Sequence, residues 1–329
     1  GGIGGEGGIG GIGGEGGEGG IGGVGGVGGE GGMGGAPAPM GPEVAGPFAV
    51  VVEEDEVELG PRGGLPESVA VTVYRPQQDG VFPAVVFNHG FSLPPSGYAS
   101  FGRRLASHGI ITVMPLYDDN PFAARSHLGL AQDTIGVIDW LLDGPYAARV
   151  DGDAIGTAGH SRGGKHAIHA AILDRRIGAV FGLDPVDSAP PFAADPVQFP
   201  SVAPELMNGL LVPNAYIGAG LGAQGFAPCA PAGDNYQSFF EAATPPTTLY
   251  YIAQAGHQNF VDACAAGSQD LTCTLCPNGG IAGQVQGFAL TTVTAFFRWH
   301  LAGDAAMRPW VDGAAVDAVE FVEVRRRGR

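Results

Sequence analysis

The chain has 329 residues, of which 44% are hydrophobic and 15% charged, and this composition is sufficient to bury one large core. Its formal net charge of -17 argues against binding to nucleic acid and against electrostatic attraction to anionic membranes. No uninterrupted apolar stretch reaches the length of about 18 residues that spans a bilayer, so no transmembrane segment is predicted.

The N-terminal segment 1–35 repeats Gly-Gly-x, where x is mostly Ile, Glu, Val or Met. This composition offers no continuous apolar face, so we predict a disordered tether and linker over residues 1–43 and one folded domain over residues 44–329. As a flexible coil, such a tether reaches roughly 30 to 35 Å. Because the chain begins with glycine, we expect a processed product or a fragment, with any export signal or lipidated cysteine further upstream.

Apolar segments after the linker predict two strands, Phe48–Val52 and Val69–Tyr74, separated by a charged loop. Further along, buried strands alternate with segments of helical periodicity. The predicted strands are 83–88, 110–114, 154–158, 179–183, 215–218 and 249–253, and the predicted helices are 97–108, 127–142, 165–173 and 284–301. The alternation predicts an α/β fold whose mainly parallel sheet is covered by helices on both faces.

A run of arginines closes the chain. Its members are Arg325, Arg326, Arg327 and Arg329. We interpret them as a solvated end rather than a binding patch.

Residues 159–163, Gly-His-Ser-Arg-Gly, have the G-x-S-x-G spacing of a nucleophile elbow. The predicted strand 154–158 runs into the motif and the predicted helix 165–173 leaves it, which is the context that this pattern requires. Only small residues fit two positions before and after the serine, and glycines occupy both places. We therefore predict Ser161 as a nucleophile. The alternative is a glycine-rich turn with an incidental serine.

A serine hydroxyl needs an imidazole to accept its proton and a carboxylate to fix the tautomer of that imidazole. His257 follows the predicted strand 249–253, late in the chain, as the order serine, acid, histidine demands. We predict His257 as the base. Structural roles are expected for His160, His166, His169 and His300.

The end of a strand is also where the acid is expected. Asp184 directly follows the predicted strand 179–183. The next strand supplies this acid more commonly, but residues 218–222 contain no carboxylate, so Asp184 is favoured by elimination. Asp187 is the first alternative acid and Asp234 the second. If Asp184 is not the acid, we expect it to cap a helix or turn before Pro185.

Attack on a carbonyl builds an oxyanion that preorganised backbone amides stabilise. We expect these amides to come from Arg162 and Phe91. The Arg162 guanidinium is expected in a structural ion pair or, alternatively, on a substrate carboxylate. Leu93, Phe226 and Phe260 are candidates for an apolar substrate pocket, and their alternative is a place in the core.

Four cysteines are present, and three of them lie close together. They are Cys229, Cys264, Cys273 and Cys276. The even number predicts two disulfides in an oxidising compartment, with the pairing open, and hence a secreted, cell-surface or periplasmic protein. A zinc site formed by the last three cysteines and His257 is the rival interpretation.

Most of the chain after the tether resembles the chlorophyllase family of the α/β-hydrolase superfamily. The matching blocks, in the family's order, are 88–91, 159–164, 184–187, 220–222, 229–231, 239–240 and 256–257. The resemblance implies an α/β-hydrolase fold with Ser161, Asp184 and His257 as the triad. The chain departs from the plant members at residues 258–262 and in the cysteine-bearing insertion that follows. The elbow is also similar to that of bacterial polyester-degrading and dienelactone-type hydrolases, although Arg162 replaces their usual methionine.

These patterns predict a serine carboxylester hydrolase that works through an acyl-enzyme on an apolar or aromatic ester, without a metal or an organic cofactor. The alternatives are a polyester or cutinase-like hydrolase, and an acyltransferase that uses the same triad. An alternative of another class is a noncatalytic binding module presented at a surface by the tether. The expected binding partner is a small-molecule or polymeric ester substrate. Attachment to a lipid or a surface through the N-terminus is a further interaction that the sequence allows, and the oligomeric state is open.

Overall fold

The computed structural model of the chain describes residues 41–60, 67–118, 124–190, 193, 195–244 and 246–328. The predicted tether, residues 1–43, lies outside this part of the chain except for its last three residues. One of these, Pro42, accepts a hydrogen bond on its carbonyl from the Arg104 guanidinium at 2.8 Å.

One nine-stranded sheet runs through the described residues in the order β1-β2-β4-β3-β5-β6-β7-β8-β9. Its strands are β1 Val50–Glu58, β2 Ser68–Pro76, β3 Phe82–Asn88, β4 Ile111–Pro115, β5 Val150–His160, β6 Ile177–Leu183, β7 Asn214–Ala219, β8 Thr247–Ile252 and β9 Glu323–Arg327. The six strands from β4 to β8 in this order are parallel, while β1, β2 and β9 pair antiparallel with their neighbours. The predicted mainly parallel sheet is therefore confirmed.

Helices lie between the parallel strands and between β8 and β9. They are α1 Ala99–Ser107, α2 His127–Asp143, α3 Arg162–Leu173, α4 Tyr236–Ala242, α5 Asp262–Ala265, α6 Leu271–Thr274, α7 Ala282–His300, α8 Arg308–Asp312 and α9 Ala314–Asp317. The four longest of these match the four predicted helices. Short 3₁₀ turns cover Pro95–Tyr98, Met207–Gly209, His257–Phe260 and Ala305–Met307.

The sheet carries a hydrophobic cluster on each face. Along β3, Val85 and Phe87 enter one cluster, whereas Ala84 and Val86 enter the other, because successive strand residues point to opposite faces. The first cluster contains apolar residues of α1 and α7, and the second contains those of α2, α3 and α4. Helices therefore cover both faces of the sheet, as the alternating pattern predicted.

The acidic run that follows Val52 belongs to β1, so the predicted charged loop is wrong over residues 53–58. Antiparallel pairing with β2 supplies polar partners for these carboxylates. Glu53 forms an ion pair with Arg75 at 2.6 Å, and the side chain of Glu54 accepts from the hydroxyl of Thr72. Cross-strand partners of this kind make an acidic strand possible at the edge of a sheet.

Arg325, Arg326 and Arg327 belong to β9 rather than to a solvated end, and Arg329 lies outside the described residues. Arg326 pairs with Asp312 at 2.6 Å and with Asp317 at 2.5 Å. The Arg327 guanidinium donates to the carbonyl of Phe240 at 2.7 Å. Phe240 and the neighbouring strand β8 lie far from β9 in the sequence, which is why the local run of positive charge did not indicate a strand.

Candidate active site

Ser161 lies between the last residue of β5 and the first residue of α3, with φ 56° and ψ -128°. Its N–H donates to the carbonyl of Leu183 at 3.0 Å. The surrounding backbone is crowded. A Cβ at Gly159 would lie 2.3 Å from the carbonyl oxygen of Gly163, and a Cβ at Gly163 would lie 2.2 Å from that of Asn88. Glycine is therefore required on both sides of the serine.

We expect Gly163→Ala to lower the free energy of unfolding by about 1 to 3 kcal/mol, because the methyl group overlaps backbone atoms that cannot move independently. Gly287→Ala is the matched control. A Cβ at Gly287, within α7, meets no atom within 4 Å, so this substitution should leave stability unchanged or raise it by up to about 1 kcal/mol. Urea unfolding monitored by circular dichroism measures both. Equal midpoints for the two variants would contradict the crowding argument.

His257 begins the 3₁₀ turn that follows β8, and only 3% of its surface is exposed. Its Nε2 lies 2.9 Å from the Ser161 Oγ, and its Nδ1 lies 2.6 Å from the Asp184 Oδ2. A carboxylate can only accept, so Nδ1 carries the hydrogen and Nε2 presents a lone pair to the serine hydroxyl. The three predicted residues are thus brought together in one hydrogen-bonded row.

Asp184 follows β6 and is fully buried. While Oδ2 faces His257, Oδ1 accepts from the Ala219 N–H at 3.0 Å. The Asp184 N–H in turn donates to the carbonyl of Ile217 at 2.7 Å. A Cβ at Gly222 would lie 2.9 Å from Oδ2, so a glycine leaves room for the carboxylate. The end of β7, which lacks a carboxylate of its own, therefore supplies the backbone amide that orients Asp184.

The two alternative acids have other partners. Asp187 forms a buried ion pair with Lys165 at 3.0 Å and accepts from the N–H groups of Val202 and Ala203. It thereby anchors the segment after β6 to α3. Asp234 is exposed and accepts from the hydroxyl of Ser188 at 2.8 Å. The geometry favours Asp184 as the acid.

Phe91 and Arg162, whose amides are the predicted oxyanion donors, also touch through their side chains. The Arg162 guanidinium carbon lies 5.0 Å from the centre of the Phe91 ring, which is a cation–π contact. The Arg162 amide belongs to the first turn of α3, where N–H groups have no partner within the helix. The carbonyl of Gly90 accepts from the Leu93 N–H at 3.2 Å, which fixes the peptide plane that carries the Phe91 N–H.

Two polar residues that were not predicted for the site, Asn88 and His89, hold the segment that leads to Phe91. The side-chain amide of Asn88 donates to the carbonyl of Ala158, and its Oδ1 accepts from the hydroxyl of Tyr117. His89 accepts from the Tyr117 N–H at Nε2 and therefore donates from Nδ1 to the carbonyl of Gly90. Ala158 and Tyr117 lie far away in the sequence, so no local pattern points to these contacts.

The three predicted pocket residues have different surroundings. Leu93 lines a cavity of about 430 Å³ that we call the Leu93 pocket, formed by Ser92, Leu93, Pro94, Leu116, Tyr117 and Asp118. Phe226 is fully exposed at 106% of its reference surface, so it lies outside any closed pocket. Phe260 is fully buried in the core, where its ring packs 5.5 Å from that of His160. The alternative interpretation of Phe260, as a residue of the core, therefore fits better than a place in the substrate pocket.

Of three other histidines, His166 and His169 are buried and His300 is partly buried. Burial lowers the pKa of His169 and the pKa of His300 to about 4, and burial together with the ring of His127 lowers the pKa of His166 well below its ordinary value. All three are therefore neutral near pH 7.

Backbone strain is concentrated at the site. Within the described ranges, the non-glycine residues with positive φ are Ser92, Ser161 and Asp184, at 55°, 56° and 42°. Such conformations cost about 1 to 3 kcal/mol each and tend to occur at functional sites. Two of the three are the candidate nucleophile and acid, and the third follows Phe91.

All four cysteines are paired, Cys229 with Cys276 and Cys264 with Cys273. The rival zinc site is therefore wrong, because its thiols are consumed in disulfides. No group of three or more potential metal ligands occurs in the part of the chain that the structure describes. Over the same residues, no helix is long and apolar enough to cross a membrane.

A mainly parallel sheet with helices on both faces and a serine on a strained strand-to-helix turn define an α/β-hydrolase. The profile of the chlorophyllase family matches residues 49–322. The chain belongs to this family, and it is an ester hydrolase.

Individual relatives agree with this assignment. Chlorophyllase-1 of Arabidopsis thaliana is 30% identical over 73% of this chain and 78% of its own length. Chlorophyllase-2 of the same plant is 28% identical over 70% of this chain and 77% of its own length. Cutinase est2 of Thermobifida alba is 26% identical over a shorter region, 43% of this chain and 45% of its own length. The similarity to both groups fits the α/β-hydrolase superfamily.

Proposed function

We propose that this protein is a serine carboxylester hydrolase that works through an acyl-enzyme, with Ser161 as nucleophile, His257 as base and Asp184 as the group that orients the base. The observation that carries the proposal is the row of two hydrogen bonds, 2.9 Å from Ser161 to His257 and 2.6 Å from His257 to Asp184. An acyl transfer needs this arrangement, because a serine hydroxyl alone is a weak nucleophile near pH 7.

In the first half-reaction, Ser161 Oγ attacks the ester carbonyl while His257 Nε2 takes its proton. The C–O bond to the leaving alcohol then breaks, and His257 returns the proton to the alcohol oxygen. Water attacks the acyl-enzyme in the second half-reaction, again giving its proton to His257, and the carboxylic acid leaves as Ser161 regains its hydrogen. Asp184 holds the imidazole in the required tautomer and stabilises the imidazolium that forms.

The backbone amides of Phe91 and Arg162 are proposed to receive the oxyanion. One such donor typically contributes about 10²- to 10³-fold in rate. The loop contacts of Gly90 and the cation–π contact between Phe91 and Arg162 support a preorganised arrangement of the two amides.

For the substrate, we propose an apolar or aromatic ester with one portion in the Leu93 pocket. A cavity of about 430 Å³ lies within the range of small-molecule sites. Three of its lining residues, 92–94, directly follow Phe91 in the sequence, which supports binding of the ester near the candidate oxyanion amides. Similarity to relatives named chlorophyllases makes chlorophyll one candidate, and similarity to a cutinase makes a polyester another. Exposed Phe226 is proposed to meet the substrate only at the rim.

A secreted or surface-tethered location is proposed as well. Two disulfides are typical of an oxidising compartment outside the cytoplasm. The glycine-rich segment and linker, residues 1–43, are proposed as the tether that presents the domain there.

The function is tested with p-nitrophenyl esters from acetate to palmitate, with chlorophyll in detergent micelles and with a polyester film, each with and without an added alcohol. We expect turnover of at least one ester class and a chain-length optimum that reflects the Leu93 pocket. A new ester of the added alcohol would identify an acyltransferase. A folded protein that cleaves no ester and is not labelled by a fluorophosphonate would refute the proposal and favour a binding module.

A further inference from the structure

A buried chain of hydrogen bonds connects residues 89–91, which we call the oxyanion loop because they carry the Phe91 amide, to the base His257. The Gly90 N–H lies 3.2 Å from the Tyr98 hydroxyl oxygen, and the same hydroxyl lies 2.7 Å from His160 Nδ1. At the other end of the imidazole, His160 Nε2 lies 2.8 Å from the carbonyl oxygen of His257. Both side chains in the middle of this chain, Tyr98 and His160, are completely removed from solvent.

The direction of every bond in this chain is determined. The His257 carbonyl can only accept, so His160 carries its hydrogen on Nε2 and has a lone pair on Nδ1. The Tyr98 hydroxyl must then donate to Nδ1, and its oxygen accepts from the Gly90 N–H. Burial together with His257 keeps the pKa of His160 well below its ordinary value, and burial raises the pKa of Tyr98, so both groups stay neutral near pH 7.

The ends of the chain are fixed at two different parts of the candidate site. One end is the residue before Phe91, whose amide is a proposed oxyanion donor. The other end is the backbone of His257, and the ring of His160 also packs against the His257 ring with centres 4.6 Å apart. His160 also directly precedes Ser161 in the sequence. The pair of Tyr98 and His160 therefore touches all three components of the proposed reaction centre without facing the substrate.

Space around Gly90 is limited by the same two side chains and by Leu93. A Cβ at Gly90 would lie 3.0 Å from Leu93 Cδ1, 3.1 Å from the Tyr98 hydroxyl and 3.1 Å from His160 Nδ1. The glycine thus lets its N–H approach the tyrosine closely, and the contact depends on both partners staying in place.

We infer that Tyr98 and His160 are positioning residues that set the distance between the oxyanion loop and the base. Their contacts support kcat, whereas substrate binding does not depend on them. The inference rests on the proposed function of Ser161, His257 and Asp184. Displacing reacting groups by about 1 Å is enough to cost about 100-fold in rate.

Tyr98→Phe removes the hydroxyl and keeps the ring, which leaves the Gly90 N–H and His160 Nδ1 without their partner. Tyr250→Phe is the matched control, because Tyr250 is equally buried and donates one hydrogen bond, to the Val311 carbonyl at 2.8 Å, on a part of the sheet outside the site. We expect Tyr98→Phe to lower kcat by about tenfold at nearly constant KM, whereas Tyr250→Phe keeps kcat. Steady-state kinetics on the best p-nitrophenyl ester, well below the midpoint of thermal unfolding, measures both.

A second pair of variants separates positioning from packing. Glutamine at position 160 can still donate to the His257 carbonyl, whereas leucine of similar volume cannot. We expect His160→Leu to lose about 100-fold in kcat and His160→Gln to recover about tenfold of that loss.

Three outcomes distinguish the two proposals. If the unmodified protein is active, but Tyr98→Phe matches Tyr250→Phe in kcat, the positioning role is refuted and the hydrolase proposal stands. Equal activity of His160→Gln and His160→Leu refutes it in the same way. If the unmodified protein cleaves no ester and takes up no fluorophosphonate, both proposals fail together.

Discussion

Ser161→Ala is expected to lower kcat for the best p-nitrophenyl ester by about 10⁵-fold or more, because no other group can form the acyl-enzyme. A small residual rate over water should remain, since the oxyanion donors and the substrate pocket are unchanged. The Ser161 hydroxyl lies 2.9 Å from His257 Nε2, so its loss removes the one nucleophile in the hydrogen-bonded row. Initial rates and covalent labelling with a fluorophosphonate measure the effect.

Ser107→Ala is the control for this substitution. Ser107 is a buried serine of α1 whose hydroxyl donates to the carbonyl of Arg104, away from the site, so its variant should keep both activity and labelling. Labelling that persists in Ser161→Ala would show that another residue is the nucleophile and would overturn the assignment.

The second large effect is expected from a pair of aspartates. Asp184→Asn should lower kcat by about 10⁴-fold, because an amide can donate to the imidazole and stabilise the wrong tautomer. Asp187→Asn should keep most of the activity and instead lower the free energy of unfolding by about 3 to 5 kcal/mol, because it leaves the buried Lys165 without its ion-pair partner. The two variants are isosteric changes at buried carboxylates only three positions apart.

Kinetics at low temperature combined with urea unfolding measures the pair. Loss of activity in a fully folded Asp187→Asn, with normal kinetics in Asp184→Asn, would reverse the assignment of the acid. Loss of stability alone in both variants would show that neither carboxylate orients the base.

Local features explain why much of this protein was predictable. The fold follows from the alternation of buried strands and amphipathic helices, which is written in consecutive residues. The candidate nucleophile, acid and base follow from a strained turn and from strand ends, since parallel strands bring these ends to one edge of the sheet. For Asp184, the decisive signal was that the end of β7 contains no carboxylate.

Long-range contacts explain what was missed. His160 was expected to be only structural, because nothing near it in sequence reveals Tyr98 or the His257 carbonyl as partners. Phe226 and Phe260 have the same side chain, yet one is fully exposed and the other fully buried. The residue type determines how much free energy its burial contributes, whereas the packing of distant segments determines which residues are buried.

The edges of the sheet have a consequence for how copies of this protein meet one another. Edge strands offer unpaired backbone groups to any neighbouring strand, a common start of aggregation. Here β1 carries five carboxylates and β9 carries three arginines, at opposite ends of the sheet. Two copies that met through β1 would therefore bring like charges together. The β9 arginines, in contrast, are paired with carboxylates, Arg325 with Glu323 and Arg326 with Asp312 and Asp317. Electrostatic repulsion thus disfavours the joining of two copies through β1.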